Sequence, residues 1–155
     1  LTAGDASWIA ALTRGTDESP DLARRLVIEI TETALIHDLD RVAAFVDVLR
    51  AKGCKVAIDD FGSGYTSFRF LKSLKVDILK IDGMFVDDLP HDAQGRVIVK
   101  TMIDMAKALG LATVAEWVSD EAARDVLRDA GATHLQGFLF GKPILAEELE
   151  RQGLL

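Results

Sequence analysis

The sequence has little of what disulfide-stabilised, membrane-spanning or DNA-binding proteins depend on. Its 155 residues include one cysteine, Cys54, so an internal disulfide cannot form. No uncharged apolar run approaches the roughly 20 residues of a membrane-spanning helix, and no basic region precedes an apolar run at the N-terminus. The net charge of -7 argues against neutralisation of a phosphate backbone. We therefore expect no DNA partner and no membrane segment in this chain.

Apolar side chains make up 49% of the sequence, which predicts one globular domain with a sizeable core. Short apolar or β-branched runs alternate with longer stretches of helical periodicity, a pattern typical of a parallel sheet covered by helices. The predicted strands span residues 26–30, 55–59, 78–82, 112–116 and 133–136. The predicted helices between them span residues 40–52, 67–74, 96–109 and 121–130. Ahead of the first strand we predict a short helix over residues 7–12 and a loop over residues 15–20.

Single residues at the ends of these patterns support the boundaries. Gly53, Gly110 and Gly131 each follow a helical pattern, where glycine adopts the left-handed C-cap conformation most easily. Asp120 precedes the last of these helices and can cap its N-terminus. The four residues predict where three helices end and where one begins.

Each predicted strand carries a polar side chain near its carboxyl end. Alternate residues of a strand share a face, and this rule brings five polar groups to the same side of the sheet. They are Glu29, Asp59, Lys80, Glu116 and Gln136. In a closed βα barrel, the inner face at the C-terminal rim carries the catalytic residues. We therefore expect these side chains to converge on one pocket.

The carboxylates at this rim predict a divalent metal site. Neighbouring carboxylates repel one another unless a cation compensates, and clusters of oxygen ligands suit Mg²⁺ or Mn²⁺. Asp60 adjoins Asp59, and its side chain can swing towards the pocket where the strand gives way to a loop. Two ions about 3.5–4 Å apart stabilise the attacking and leaving oxygens of a phosphoryl displacement. The cluster therefore favours phosphodiester hydrolysis.

Several of these features have alternative interpretations. Lys80 is an ion-pair partner of the carboxylates, a solvated lysine at the rim, or the Schiff-base nucleophile of a lyase, although crowding by carboxylates disfavours the last. Trp117 follows Glu116 and is either a base-stacking surface or a lid contact. Residues 136–143 include aromatic side chains that suit a wall for a planar base. Residues 61–67 form a glycine-rich turn that can contact phosphate.

Four segments together carry a family resemblance. In this order they are LVIEITET, IDDFGSGYTSF, LKID and QGFLFGKP, and they closely resemble the EAL-domain cyclic di-GMP phosphodiesterases. The resemblance implies an α/β fold, a TIM-like (β/α) barrel to which this chain supplies about five of the βα units. It also implies metal-dependent hydrolysis of cyclic di-GMP to linear pGpG, with Mg²⁺ or Mn²⁺ in a two-metal site.

The resemblance covers nearly the whole chain but only the later part of the family's barrel, which needs roughly 250 residues. We therefore expect residues 1–155 to be the C-terminal portion of a single EAL domain. The Glu-Ala-Leu segment that names the family, and a ligating asparagine downstream of it, are expected before Leu1. Five βα units without the preceding strands would leave open parallel edges, which natural folds normally close or cover. We therefore expect missing residues or a partner chain to complete the barrel.

The resemblance also implies roles for individual residues. The metal ligands that it implies are Glu29, Asp59, Asp60 and Glu116. Lys80 resembles the lysine that contacts the attacking water, and Glu116 and Gln136 complete the implied catalytic set. Glu32 resembles the acid that anchors the loop after Asp60. The implied ligand contacts are Gln136, Gly137 and Pro143.

Two positions depart from the family's pattern, which usually has glycine in place of Trp117 and a second glutamate in place of Ser119. These departures support an alternative: a catalytically degenerate EAL domain that acts as a cyclic di-GMP receptor or scaffold. The resemblance further implies a homodimer, with a sensor or GGDEF domain as a fused or regulatory partner. We expect a cytoplasmic location, with any membrane anchor supplied by domains outside this chain.

Overall fold

The computed structural model is built around a parallel sheet of five strands. The structure describes residues 6–37, 39–64 and 68–153. The strands are β1 (Val27–Thr31), β2 (Lys55–Phe61), β3 (Ile78–Ile81), β4 (Ala112–Ala115) and β5 (His134–Leu135). The helices are α1 (Ala6–Glu18), α2 (Pro20–Arg25), α3 (Glu32–His37), α4 (Leu39–Ala51), α5 (Phe68–Ser73), α6 (Ala93–Ala108), α7 (Glu121–Ala130) and α8 (Ala146–Arg151). A short 3₁₀ helix, Gly83–Phe85, follows β3.

The strands lie in the sheet in their sequence order, and each pairs in parallel with its neighbour. Each helical connection therefore moves the chain one strand further in the same direction, as in a (β/α) barrel. An open doubly wound sheet reverses its strand order instead. The expected α/β class with five successive βα units is confirmed. Because all five strands are parallel, their carboxyl ends meet at one edge of the sheet.

Two clusters of buried apolar side chains join the sheet to the helices that cover it. The first joins β2 to α4 through Val46, Leu49, Val56 and Ile58. The second joins β3 to α6 and α7 through Ile81, Val99, Ile103 and Leu127. Burial of these side chains is the main favourable term in folding. The polar residues near the carboxyl ends of the strands lie on the opposite face of the sheet.

The predicted strands and the four helices between them are all present, with ends shifted by at most three residues. Position 67, the predicted start of α5, lies outside the described residues. The predicted caps are confirmed. Gly53, Gly110 and Gly131 have φ of 92°, 74° and 93°, and the Asp120 side chain accepts a hydrogen bond from the N–H of Ala123 at 2.8 Å.

The predicted loop over residues 15–20 is wrong, and the helix predicted over 7–12 is too short. α1 continues to Glu18, and Thr16 is 3% exposed within it. The Thr16 hydroxyl donates to carbonyl oxygens of the preceding turn, so this buried polar group has its partners within the helix. Ser19 then caps α2, with Pro20 at its first turn. The Ser-Pro pair marks the start of a helix, where proline's missing N–H costs nothing.

Two further helices, α3 and α8, have no counterpart in the prediction. Each spans six residues, which is too short for an apolar periodicity to repeat. Among the residues that the structure describes, no helix is both long and apolar enough to cross a lipid bilayer.

Candidate active site

Lys80, near the end of β3, lies at the centre of three carboxylates. Its Nζ is 2.6 Å from Oδ1 of Asp59, 2.9 Å from Oε1 of Glu116 and 3.0 Å from Oε2 of Glu29. The Lys80 side chain is 7% exposed, whereas that of Glu29 is 47% exposed. The ammonium group is therefore buried beneath an acidic cluster that opens to solvent on the Glu29 side.

Strand register explains why these residues meet. Glu29 of β1 pairs with the residue two positions before Asp59. Lys80 of β3 pairs with the residue two positions before Glu116. Residues two apart on a strand share a face, so all four side chains point to one side of the sheet near its carboxyl edge. The structure thus brings together the four groups that strand alternation placed on a common face.

Asp60 joins the cluster through a bulge in β2. The pairing of β2 with β3 shifts register between Ile58 and Phe61, and Asp60 adopts a φ of 55°. A bulge with a left-handed residue re-aims a side chain that would otherwise point to the opposite face. Carboxylate oxygens of Asp59, Asp60 and Glu116 consequently all lie within 4.8 Å of one another. The prediction that the strand ends before Asp60 is wrong, because β2 continues to Phe61.

Burial and crowding oppose the ionisation of two of these acids. Burial raises the pKa of Asp60, and the charge of Asp59 raises it further. Burial also raises the pKa of Glu116, although its hydrogen bond with Lys80 offsets part of the effect. For Lys80, burial acts against the charge, but hydrogen bonds to the three carboxylates outweigh it and raise the pKa of the ammonium group. A lysine held charged is not the neutral amine that a Schiff-base nucleophile requires.

The donor set of the cluster fits a divalent cation. Asp59, Asp60 and Glu116 present oxygen ligands close together, and such ligands are preferred by Mg²⁺, Mn²⁺ and Ca²⁺. Burial is the main reason that the pKa values of Asp60 and Glu116 are raised, and the charge of Asp59 raises both further. A cation at the cluster would favour the ionised form of both acids.

Glu32 fixes the loop that follows Asp60. Glu32 is 2% exposed, and its Oε2 accepts a hydrogen bond from the N–H of Gly64 at 2.8 Å. Ser63 donates from its N–H and its hydroxyl to the carbonyl oxygen of Asp60, at 3.2 and 2.8 Å. The loop is thereby tied to α3 and to the bulge. Residues 65–67 of the predicted phosphate-contacting turn lie outside the described residues.

The segments that follow β4 and β5 are joined at the same edge of the sheet. The N–H of Val118 donates to the carbonyl of Gln136 at 3.0 Å, and the N–H of Leu139 donates to the carbonyl of Val118 at 3.1 Å. Gly137 lies so close that a Cβ built on it would be 2.2 Å from the carbonyl oxygen of Val118. Only glycine permits this approach of two backbones.

A pocket of about 390 Å³ opens where these two segments meet, and it is lined by Asp87, Trp117, Ser119, Gln136, Gly137 and Phe138. This volume lies within the usual range for small-molecule sites. The residues that line this pocket are different from those of the acidic cluster, and Trp117 relates the two because it directly follows Glu116 in the chain. Asp87 was not predicted from the sequence, since it is one of several acids in an irregular segment and has no distinguishing spacing.

A second pocket, of about 420 Å³, shares Gln136, Gly137 and Phe138 with the first and is also lined by Lys142 and Pro143. The Nζ of Lys142 lies 5.5 Å from the centroid of the Phe138 ring. Of the three predicted ligand contacts, Gln136 and Gly137 line both pockets, and Pro143 lines only the second.

A parallel sheet in sequential order, with acids and a lysine gathered at the carboxyl ends of its strands, defines a (β/α)-barrel domain that carries its site on that edge. The sequence profile of the EAL domain matches residues 2–143. The chain therefore belongs to the EAL domain family.

Curated relatives support the same family. The chain is 40% identical over 124 residues to the bifunctional diguanylate cyclase/cyclic di-GMP phosphodiesterase MucR of Pseudomonas aeruginosa, covering 80% of this chain and 18% of MucR. It is 41% identical over 115 residues to the cyclic di-GMP phosphodiesterase PdeB of Shewanella oneidensis, covering 74% of this chain and 13% of PdeB. The chain thus spans less than a fifth of the length of either relative.

Solved structures agree with the fold. The MucR phosphodiesterase in complex with cyclic di-GMP superposes with a TM-score of 0.86 at 35% identity, covering 94% of this chain and 59% of that one. The EAL domain of Mycobacterium smegmatis DcpA gives 0.87 at 36% identity, covering 97% and 67%. Klebsiella pneumoniae BlrP1 with manganese and cyclic di-GMP gives 0.81 at 30% identity, covering 90% and 36%. A calcium and cyclic di-GMP complex of BlrP1 also matches, with a TM-score of 0.74 at 34% identity over 78% and 31%.

Proposed function

We propose that this chain is part of a metal-dependent phosphodiesterase that hydrolyses cyclic di-GMP to linear pGpG. The observation that carries the proposal is the set of three carboxylates around Lys80, with Asp60 turned into the same cluster. The named activities of MucR and PdeB, and the ligand bound to the MucR phosphodiesterase, supply the substrate class.

The proposal assigns metal binding to Asp59, Asp60, Glu116 and Glu29. Asp59, Asp60 and Glu116 offer oxygen atoms within 4.8 Å of one another, and Glu29 offers another, 3.0 Å from Nζ of Lys80. Two Mg²⁺ or Mn²⁺ ions held there would neutralise charge on the phosphodiester and favour ionisation of the attacking water. The manganese in the BlrP1 complex supports this choice of metal.

Lys80 supplies a fixed positive charge and hydrogen-bond donors beneath the reacting phosphate. Because its ammonium group is held charged by three acids, it does not remove the proton of the attacking water. Its three N–H donors face the three carboxylates, and a donor released when one carboxylate turns to a metal ion would be free to hydrogen-bond to the water oxygen. Gln136 lies on the same edge and offers an amide for the water or the ligand. The water oxygen bonds to phosphorus as the P–O3′ bond breaks. The water gives up one proton to solvent, and the departing 3′ oxygen takes one up to become a hydroxyl.

The proposal extends to the rest of the domain, the oligomeric state, the partner domains and the location of the protein. The chain covers 59% of the MucR phosphodiesterase structure, so we infer that it is the C-terminal portion of one EAL domain whose other strands add further ligands. A homodimer, a sensor or GGDEF partner domain and a cytoplasmic location are part of this inference. The diguanylate cyclase activity named for MucR supports the choice of GGDEF partner.

Product analysis with the whole protein tests the proposal. Cyclic di-GMP incubated with the protein and Mn²⁺ is expected to yield pGpG as the first product, and EDTA is expected to abolish its formation. Tight binding of cyclic di-GMP with no product in either Mn²⁺ or Mg²⁺ would contradict the enzyme and favour a receptor. Trp117 and Ser119 would then be the first positions to restore to the family's usual residues.

A further inference from the structure

Trp117 holds a large side chain in a backbone conformation that suits few residues. Its φ is 56°, in the left-handed region, where a Cβ meets the carbonyl oxygen of its own residue. Glycine would adopt this conformation without steric cost. Strained residues of this kind persist where the surrounding structure holds them, and they are concentrated at ligand sites.

The indole ring is held in place by the backbone beneath it. A Cβ built on Gly83 would lie 2.1 Å from both Cγ and Cδ2 of Trp117, so the ring rests directly on the backbone of the 3₁₀ helix. Nevertheless, Trp117 is 65% exposed. A large aromatic ring that is supported on one side and open on the other is a preformed stacking surface.

The open part of the ring faces a pocket suited to a nucleobase. Trp117 and Phe138 are the two aromatic side chains that line it, and Phe138 is 66% exposed. Three polar residues line the same pocket: Asp87, Ser119 and Gln136. Aromatic faces stack on bases of any kind, whereas acids, hydroxyls and amides hydrogen-bond to base edges.

The position of the pocket decides which ligand fits. Trp117 is the next residue in the chain after Glu116, whose carboxylate lies in the acidic cluster. A phosphodiester at the cluster therefore has one of its nucleosides within reach of the indole. We propose that Trp117 binds a guanine base of the dinucleotide by stacking on its ring; this inference rests on the proposed function. Trp117 is thereby a substrate-binding residue rather than a lid contact.

Tryptophan fluorescence of the whole protein tests this inference without requiring turnover. Cyclic di-GMP would be titrated in Ca²⁺, and recovery of intact ligand would be checked afterwards. The contribution of Trp117 is the difference between the wild type and Trp117→Phe. We expect this difference emission to fall on ligand addition, because stacked purines quench indole fluorescence. A matched difference for Trp8→Phe, in α1 against Phe45, is expected to stay constant.

Affinity provides the second readout. Trp117→Phe keeps a stacking ring and is expected to change Kd little, whereas Trp117→Leu and Trp117→Gly are expected to raise Kd about 10-fold or more. Because glycine relieves the left-handed strain, a weaker Trp117→Gly variant with unchanged or higher thermal stability would exclude misfolding as the cause. Unchanged Kd in Trp117→Leu and Trp117→Gly would overturn the inference and leave the proposed function standing. A wild type that binds no cyclic di-GMP would overturn both.

Discussion

The ammonium nitrogen of Lys80 lies 2.6 Å from Oδ1 of Asp59, in an ion pair whose side chains are 7% and 20% exposed. Each charge in such a pair needs the other, because either alone would be poorly solvated. Lys80 also contacts Glu29 and Glu116. Its removal would therefore leave three carboxylates repelling one another, with no positive group between them. Lys80 balances only part of this charge, and a divalent cation would balance more of it.

Replacement of this lysine tests the electrostatic account. Lys80→Met keeps most of the side-chain length but removes the charge, and we expect it to lower the free energy of unfolding by about 3 kcal/mol in EDTA. Mn²⁺ is expected to restore more stability to the variant than it adds to the wild type. Urea-induced unfolding in EDTA and in Mn²⁺ measures both effects. Equal stability of the two proteins in EDTA would show that the carboxylates do not depend on Lys80.

Asp60 allows charge and backbone strain to be separated. Asparagine and aspartate tolerate a φ of 55° better than alanine does. Asp60→Asn is therefore expected to fold at least as stably as the wild type in EDTA, since it removes repulsion from a carboxyl group whose pKa is raised. Asp60→Ala removes the same charge but is expected to be about 1 kcal/mol less stable than Asp60→Asn.

Both Asp60 variants lose a proposed metal ligand, so both are expected to bind Mn²⁺ more weakly in calorimetric titrations. Urea-induced unfolding in EDTA ranks their stabilities. If Asp60→Ala proved as stable as Asp60→Asn, the left-handed conformation at this position would not carry the cost that we assign to it.

The contact between Glu32 and Gly64 predicts how the loop after Asp60 is held. Glu32→Gln retains an acceptor for the N–H of Gly64, whereas Glu32→Ala leaves that N–H without this partner. We expect hydrogen exchange at Gly64 to be much faster in Glu32→Ala than in the wild type, with an intermediate rate in Glu32→Gln. Hydrolysis of cyclic di-GMP is expected to fall in the same order. Unchanged exchange at Gly64 in Glu32→Ala would contradict the anchoring role.

Gly83 controls the position of the Trp117 ring without being part of the pocket lining. The methyl group of Gly83→Ala would lie 2.1 Å from the indole, so the ring must move. We expect a changed near-ultraviolet circular dichroism signal and weaker binding of cyclic di-GMP.

Gly15→Ala is the matched control for Gly83→Ala. A Cβ at Gly15 would meet nothing within 4 Å, and an alanine within α1 is expected to raise stability by about 0.5–1 kcal/mol. Cyclic di-GMP binding by Gly15→Ala is expected to equal that of the wild type. If Gly83→Ala bound cyclic di-GMP as tightly as the wild type, the position of the Trp117 ring against Gly83 would not be needed for ligand binding, which would contradict the proposal.

Most of the fold could be predicted because its signals are local and repeated. The apolar runs of β2 and β3 and the helical periodicity of α4 and α7 recur along the chain, and glycines end three of the helices. Strand alternation also placed Glu29, Asp59, Lys80 and Glu116 on one face, where the structure has them. The spacing of apolar residues along each element and the alternation of side chains between the two faces of a strand are enough to predict these features. Neither signal depends on contacts between distant residues.

The remaining features depend on three-dimensional contacts that leave no periodic signal. The left-handed conformations of Asp60 and Trp117 arise from a bulge and from segment packing, and a non-glycine residue gives no sequence sign of either. The short α3 and α8 hold too few residues to show a period. Asp87 reaches the pocket only because the chain after β3 folds back towards the segment after β5.

The central claim is that Asp59 and its neighbours hold the catalytic metal of a cyclic di-GMP phosphodiesterase. The most direct measurement is the rate of pGpG formation as a function of Mn²⁺ concentration in the wild type, Asp59→Asn and Asp92→Asn. Asp92 caps α6 through the N–H of Gln94 at 2.9 Å, a role that asparagine also fills. We predict metal-dependent turnover in the wild type and Asp92→Asn, and none in Asp59→Asn. Turnover by Asp59→Asn at the wild-type rate and with the same Mn²⁺ dependence would contradict the claim.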